Sequence, residues 1–392
     1  MARHVTSSRL ARHVTSAAPP EVAALRAQVS ALEERIKLLE SLVAPSSAMR
    51  YRTLGATDMR VSVLSLGCAG LGGVYGDVNQ SQANELVLAA LRRGVNFFDT
   101  SPYYGDTQSE TVLGRALRHA IDTGEFARED MYVATKVGRY GDGTDFSAAR
   151  IKSSLQESCD RLQLDTIDLI QCHDVEFASS LEQVVEEALP SLEEARGAGT
   201  VSHVGITGLP LSVLDFVVGK YQGKIDSILT YCCYTLNNTG LSEYLPRWRH
   251  GGIGVVQGGA TSMGLLTPGG PQDWHPAPAE VRKACNEAVQ LCERLGEDIV
   301  KLAFQYTFAE QEIASVLVAP PTPEALATNI HWLEQPLDSD LAADVQAVLA
   351  PIRNRMWVEK GSEENIALAS GGFWAEGHGT TNVIDGSSTN LG

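Results

Sequence analysis

Phe97-Phe98-Asp99-Thr100-Ser101-Pro102-Tyr103-Tyr104-Gly105 is an apolar run that stops at an acid and continues through two hydroxyls, a proline and two phenols. With Val95 and Asn96 in front of it, the run reads as a buried strand, and parallel α/β barrels gather their chemistry where the strands end. The same residues also suit a plain turn in which Asp99 caps the next helix and the tyrosines cover the core edge. The rest of the chain decides between these readings.

Short apolar runs recur at Val63–Gly67, Val95–Phe98, Met131–Thr135, Ile167–Gln171, Val201–Ile206, Ser227–Tyr231, Ile253–Gln257 and Ser315–Val318. Helical patterns lie between most of them, at Gln82–Arg93, Ser109–His119, Ala148–Leu162, Leu181–Arg196 and Leu211–Tyr221. Such alternation predicts a parallel sheet with crossover helices. Eight units in about 300 residues predict an α/β fold of the (β/α)8 TIM barrel type, spanning residues 49–358. An open dinucleotide-binding sheet is the rival, but it would carry G-x-G-x-x-G after its first strand. The chain has Gly67-Cys68-Ala69-Gly70-Leu71-Gly72-Gly73 there.

The ends differ in character. Residues 1–20 are basic, acid-free and rich in Ser and Thr, which predicts a disordered N-terminus and is also compatible with organelle targeting. In residues 21–44, Val22, Leu25, Val29, Leu32, Ile36, Leu39 and Val43 form a heptad seam. That seam predicts an amphipathic helix, either a coiled coil that joins a homodimer or a single helix lying on the barrel. Residues 359–392, rich in Gly, Ser and Asn, read as a flexible tail.

A net charge of −17 argues against sequence-independent nucleic-acid binding, and no apolar run reaches the roughly 18 residues of a membrane span. A small-molecule ligand is expected. Seven cysteines without a C-x-x-C pair suit a reducing, cytoplasmic setting, with neither a disulfide framework nor a metal site expected.

Polar residues end three consecutive apolar runs: Asp99, Lys136 and His173. Neighbouring strands lie about 4.8 Å apart, so the three should meet at one mouth, with Tyr104 brought over them by a short turn. The grouping has a chemical rationale. A phenol titrates near 10, and an adjacent ammonium favours its phenolate, so Lys136 would tune Tyr104 while Asp99 holds Lys136 charged. Each residue also has a structural reading, as an ion pair, a core-edge ring or a satisfied histidine.

The motifs D-T-x-x-x-Y-G at Asp99–Gly105, A-T-K at Ala134–Lys136 and C-H-D at Cys172–Asp174 resemble those of the aldo-keto reductases. The resemblance covers about Tyr51 to Trp357 and implies a barrel that binds a nicotinamide cofactor and uses Asp99, Tyr104, Lys136 and His173 in catalysis. Longer strings, such as Asn96–Gly105, Val133–Tyr140, His173–Phe177, Gly205–Leu211 and Trp274–Pro276, are similar to the plant-type L-galactose dehydrogenase branch. That branch implies NAD-dependent oxidation of C1 of L-galactose to L-galactono-1,4-lactone, a step of ascorbate biosynthesis. L-fucose or D-arabinose dehydrogenase, an aldehyde reductase, and a nicotinamide-binding regulatory subunit stand as alternatives.

The resemblance further implies cofactor contacts at Thr207, Gly208, Tyr231, Gly259, Ala260, Ser262, Gly264, Ala319 and Asn329. Thr207-Gly208 replaces a Ser-Asn pair of the family, and Gly259-Ala260-Thr261-Ser262-Met263-Gly264 lacks its usual Pro and Leu. NAD is expected over NADP because Val318–Ala325 holds no Lys or Arg to pair a 2′-phosphate, but does hold Glu324. Tyr103, Arg139, Asp174, Glu176 and Trp274 are the expected substrate contacts, since carboxylates and rings suit a sugar. Tyr140 and His275 fall on the same loops, and a solvated loop remains the alternative for the charged ones.

Overall fold

The computed structural model describes Val29, residues 49–74 and residues 76–370, and the chain falls into two units, Met1–Ala44 and Pro45–Gly392. The expected basic N-terminus, coiled-coil pairing and the tail beyond 370 lie outside the described residues, apart from helical, exposed Val29.

Eight parallel strands close the second unit into a barrel. They are β1 (Leu64–Gly67), β2 (Phe97–Asp99), β3 (Tyr132–Val137), β4 (Ile167–Cys172), β5 (Val201–Thr207), β6 (Ser227–Tyr231), β7 (Gly254–Gly258) and β8 (Ile313–Val318). Spatial order follows chain order, and β8 closes on β1 through Val316↔Leu64. Every expected strand is present, with ends shifted by a few residues.

The strands are buried on both faces, as a helix-covered parallel sheet requires. Inward side chains alternate with a period of two. Phe97, Ala134, Leu169, Leu229, Val256 and Ala314 form an apolar floor inside the barrel. Leu54, Met59 and Val61 join it from an antiparallel hairpin, Tyr51–Thr53 with Arg60–Ser62, which abuts the start of β7 through Ala56 N–H to Gly252 O. This end is plugged with apolar side chains. Two residues further along β2, β3 and β4, the inward positions are Asp99, Lys136 and Gln171.

The helices follow from local signals. Ala148–Leu162 starts under a Ser147 cap and ends at Gln163 in a left-handed conformation. Its buried Ile151, Leu155, Cys159 and Leu162 form one apolar stripe. The helix expected at Leu181–Arg196 is interrupted. Leu181–Gln183 runs into a π-helical turn, Val184–Ala188, before Leu189–Gly197 resumes, because Pro190 has no N–H and its ring crowds the carbonyl one turn back.

Part of the segment expected to be a tail from 359 is ordered. Glu363–Ala369 is a helix, and buried Asn365 donates from its amide nitrogen to the backbone oxygens of Glu176 (3.0 Å) and Ala178 (2.7 Å). Tertiary hydrogen bonds, rather than local propensity, order it.

Candidate active site

Asp99 is the last residue of β2, Lys136 lies one residue inside β3, and His173 follows β4 directly. The parallel register sets them side by side at one mouth. Lys136 Nζ donates to Asp99 Oδ1 at 2.5 Å, to Thr100 O at 2.8 Å and to the Tyr104 hydroxyl at 3.3 Å. Both charged side chains are essentially inaccessible to solvent. Burial alone would favour neutral Lys136, but Asp99 and Tyr104 more than offset it and hold its pKa above the ordinary lysine value.

Gln171 completes the support and was not singled out in the sequence. Its Nε2 donates to the second oxygen of Asp99 at 2.9 Å. Gly205 makes room on the adjacent strand, since a Cβ there would meet Ser227 Oγ at 2.3 Å and Gln171 Cγ at 3.3 Å. The signal was present: Gln171 is a polar residue that follows the apolar Leu169-Ile170 and precedes His173 by two positions, hence on the same face.

Tyr104 departs from one expectation. Its hydroxyl is pushed up to about 12, because burial outweighs the lowering by Lys136, and Asp99 and Asp174 add to the rise. The ammonium therefore limits the rise without producing a net fall. His173 is driven down to about 3, chiefly by burial, so its ring is neutral across the ordinary pH range. Both tyrosine rings meet it edge-on at 5.7 Å.

Tyr103, Arg139 and Asp174 come together beside this centre. The Arg139 guanidinium lies 4.4 Å from the Tyr103 ring centroid and 4.1 Å from that of Phe177, and it is paired with Asp174. Asp174 Oδ2 is 3.6 Å from His173 Nε2. Burial pushes the Asp174 carboxyl up, but the charges of Arg139 and Lys136 hold it below its ordinary value. The solvated-loop alternative is thus overturned for Arg139, Asp174 and Glu176, all of which are buried or nearly so.

Glu176 is a special case. One oxygen accepts the Leu209 N–H at 2.9 Å, while the other is buried without a partner, 2.5 Å from where a Cβ on Gly208 would stand. Burial and the nearby Asp174 raise its carboxyl well above the ordinary range.

The expected cofactor residues divide. Tyr231, half-buried at the end of β6, shares the field of Asp174, Glu176 and Arg139. Gly259 and Gly264 adopt φ of +67° and +94°, shaping a tight backbone loop after β7 in which Ala260 is buried. Ala319 is exposed after β8, and Asn329 is buried on the helix Pro323–Glu334. The hydroxyls of Thr207 and Ser262 are committed elsewhere. Thr207 Oγ1 accepts the Asp174 N–H (2.8 Å) and lies 3.2 Å from its carboxylate. Ser262 Oγ donates to Asn237 Oδ1 at 2.6 Å. Each hydroxyl is held in a local hydrogen-bond network.

Trp274 stacks on His275, which packs against Trp357 at 4.8 Å, so its described contacts fasten the β7 loop to the C-terminal segment and do not reach the tetrad. Tyr140 donates no side chain to the centre either, since its hydroxyl accepts the Gly138 N–H at 3.0 Å. Sequence reading also missed Glu359. It lies in the field of Arg139, Asp174 and Tyr103, and burial raises its carboxyl.

A closed parallel barrel with a buried Asp-Lys-Tyr group and a neutral histidine at the strand ends defines a class of oxidoreductase. Residues 63–350 match the Aldo/keto reductase family, and the chain belongs to it. The L-galactose dehydrogenase of Arabidopsis thaliana is 42% identical over 314 residues, covering 79% of this chain and 97% of that protein. The D-arabinose 1-dehydrogenase of Saccharomyces cerevisiae is 32% identical over 261 residues, 64% of this chain and 76% of that protein. Among solved structures, an aldo-keto reductase from Bacillus halodurans in its holo form superposes with a TM-score of 0.64 at 26% identity, covering 79% of this chain and 98% of that one. Among the described residues, no helix is long and apolar enough to cross a membrane, and no cluster could hold a metal ion.

Proposed function

We propose that the protein is an NAD-dependent aldose 1-dehydrogenase that oxidises C1 of L-galactose to L-galactono-1,4-lactone, the reaction placed in ascorbate biosynthesis and assigned here to a cytoplasmic enzyme. The observation that carries this reading is the buried Arg139–Asp174 pair with the Tyr103 ring, set directly against His173 and Tyr104. A carboxylate and a guanidinium give a polyol acceptors and donors in fixed places, and the tyrosine gives its apolar face a surface. The Arabidopsis relative supports L-galactose in particular.

Tyr104 takes the proton of the C1 hydroxyl as C1 loses hydride, and His173 orients the reacting oxygen. Lys136, held charged by Asp99 and Gln171, stabilises negative charge on the phenol. When bound, the nicotinamide accepts the hydride. Tyr231, Gly208, Gly259, Ala260, Gly264, Ala319 and Asn329 would hold it, and the unpartnered Glu176 carboxyl fits an amide-bearing ligand at this end of β5. The loop Val318–Ala325 after β8 holds Glu324 but no Lys or Arg to pair a 2′-phosphate, and this supports NAD over NADP.

Purified protein is assayed with NAD and NADP against L-galactose, L-fucose, D-arabinose and a simple aldehyde. The expected ranking has L-galactose with NAD first. No turnover of any sugar would end the dehydrogenase reading, and kcat/KM with NADP equal to or above that with NAD would end the cofactor assignment.

A further inference from the structure

We infer that Ser101 is a positioning residue that fixes the imidazole of His173 in the tautomer carrying its proton on Nε2. Its hydroxyl donates to Nδ1, leaving Nε2–H as the hydrogen bond the ring offers to substrate. The inference rests on the proposed role of His173 in orienting the reacting oxygen.

Ser101 has no solvent exposure, and its Oγ lies 3.0 Å from His173 Nδ1. The same oxygen accepts the Tyr103 N–H at 3.1 Å. A hydroxyl has one hydrogen and two lone pairs, so two arrangements exist. In one, the hydroxyl hydrogen goes to Nδ1, and the Ser101 hydroxyl, Nδ1 and the Tyr103 N–H are all satisfied. In the other, Nδ1–H donates to Oγ and the hydroxyl hydrogen is buried without an acceptor among the described contacts. The penalty for such an orphan favours the first by roughly tenfold to a hundredfold.

A second contact points the same way. Nε2 stands 3.6 Å from Asp174 Oδ2, and a carboxylate attracts N–H where it would repel a ring lone pair. Because the ring is neutral, the tautomer decides what it presents. With its proton on Nδ1, the ring would turn a lone pair toward the sugar and compete with Tyr104 for the C1 hydroxyl proton.

The placement of Ser101 comes from the sequence around it. Pro102 restricts Ser101 to an extended backbone, and the Tyr103 N–H anchors its oxygen from the far side. One short turn therefore delivers both Tyr104 and the group that sets its partner's tautomer.

The direct test is long-range 1H–15N correlation of protein labelled in its histidines, with His173 identified by the signals lost in His173→Asn. The expected result is a protonated Nε2 and a bare Nδ1 in the unsubstituted protein, and the reverse would overturn the inference whatever the activity. Ser101→Ala should then populate the other tautomer and lower kcat by roughly tenfold to a hundredfold with little change in KM for NAD, and Ser101→Cys, a weaker donor of similar size, should recover part of the loss. An unchanged tautomer in Ser101→Ala would also overturn it. A shifted tautomer with undiminished kcat would support the role of Ser101 while removing His173 from the proposed mechanism.

Discussion

Replacing Lys136 by Met should unfold the barrel early as well as silence it. The ammonium and the Asp99 carboxylate are each about 1% exposed, and without Lys136 the carboxylate keeps, among the described residues, only the Gln171 amide at 2.9 Å. Removing one partner of a buried pair typically destabilises by about 3–5 kcal/mol because the other charge is left uncompensated. At roughly 2 °C per kcal/mol for a barrel of this size, Tm should fall by about 6–10 °C. The double variant Asp99→Asn/Lys136→Met has no stranded charge, so it should regain most of that loss. It should not regain activity, because the positive charge beside Tyr104 is gone. Thermal unfolding followed by circular dichroism, with initial rates on the same samples, gives both readouts. A Lys136→Met protein that melts with the unsubstituted one, or an active double variant, would refute the reasoning.

Other outcomes follow from the same structure. Tyr104→Phe should still bind NAD, measured by quenching of tryptophan fluorescence, but lose about 10²–10⁴-fold in kcat. Because burial pushes the Tyr104 hydroxyl up to about 12, its phenolate fraction grows with pH, and kcat/KM for sugar oxidation should rise through the neutral range; a flat profile would count against it as base. Glu176→Gln replaces a carboxyl whose pKa burial raises by a neutral amide of the same shape and should leave Tm nearly unchanged, whereas Gly208→Ala places a Cβ 2.5 Å from Glu176 Oε2 and should weaken NAD binding in a titration. Glu359→Ala should raise KM for the sugar more than it lowers kcat, and an unaltered KM would remove Glu359 from the mouth. At the opposite end of β5, His203 is raised above its ordinary pKa by the carboxylates of Asp226, 3.7 Å from its Nδ1, and of Asp58, 2.8 Å from its Nε2, so its contribution is complete below about 6.5 and is lost as pH climbs through the folded value. His203→Gln should therefore lower Tm at pH 6 more than at pH 9, and an equal drop at both would contradict the linkage.

Asp99, Lys136 and His173 were legible because each interrupts an apolar strand at its end, where the register of a parallel barrel converts three separate sequence positions into one cluster. Gln171, inward like Lys136 and likewise the penultimate residue of its strand, carried the same periodic signal, and its bond to Asp99 gives that signal its meaning. Glu359 was hidden by its neighbours. A Gly- and Ser-rich composition describes local propensity, whereas the order of Glu363–Ala369 comes from Asn365 reaching back to Glu176 and Ala178. Thr207 and Ser262 were legible as hydroxyls at motif positions, whereas their local partners, Asp174 and Asn237, come only from the fold.

The central claim is that hydride leaves C1 of an aldose above Tyr104 for NAD. L-Galactose carrying deuterium at C1, incubated with the protein and NAD, tests it directly through mass spectrometry of the recovered dinucleotide. The account predicts one deuterium in the NADH formed, together with lactone, and neither product with Tyr104→Phe over the same interval. Absence of deuterium from the dinucleotide while sugar is consumed, or equal transfer by Tyr104→Phe, would contradict it.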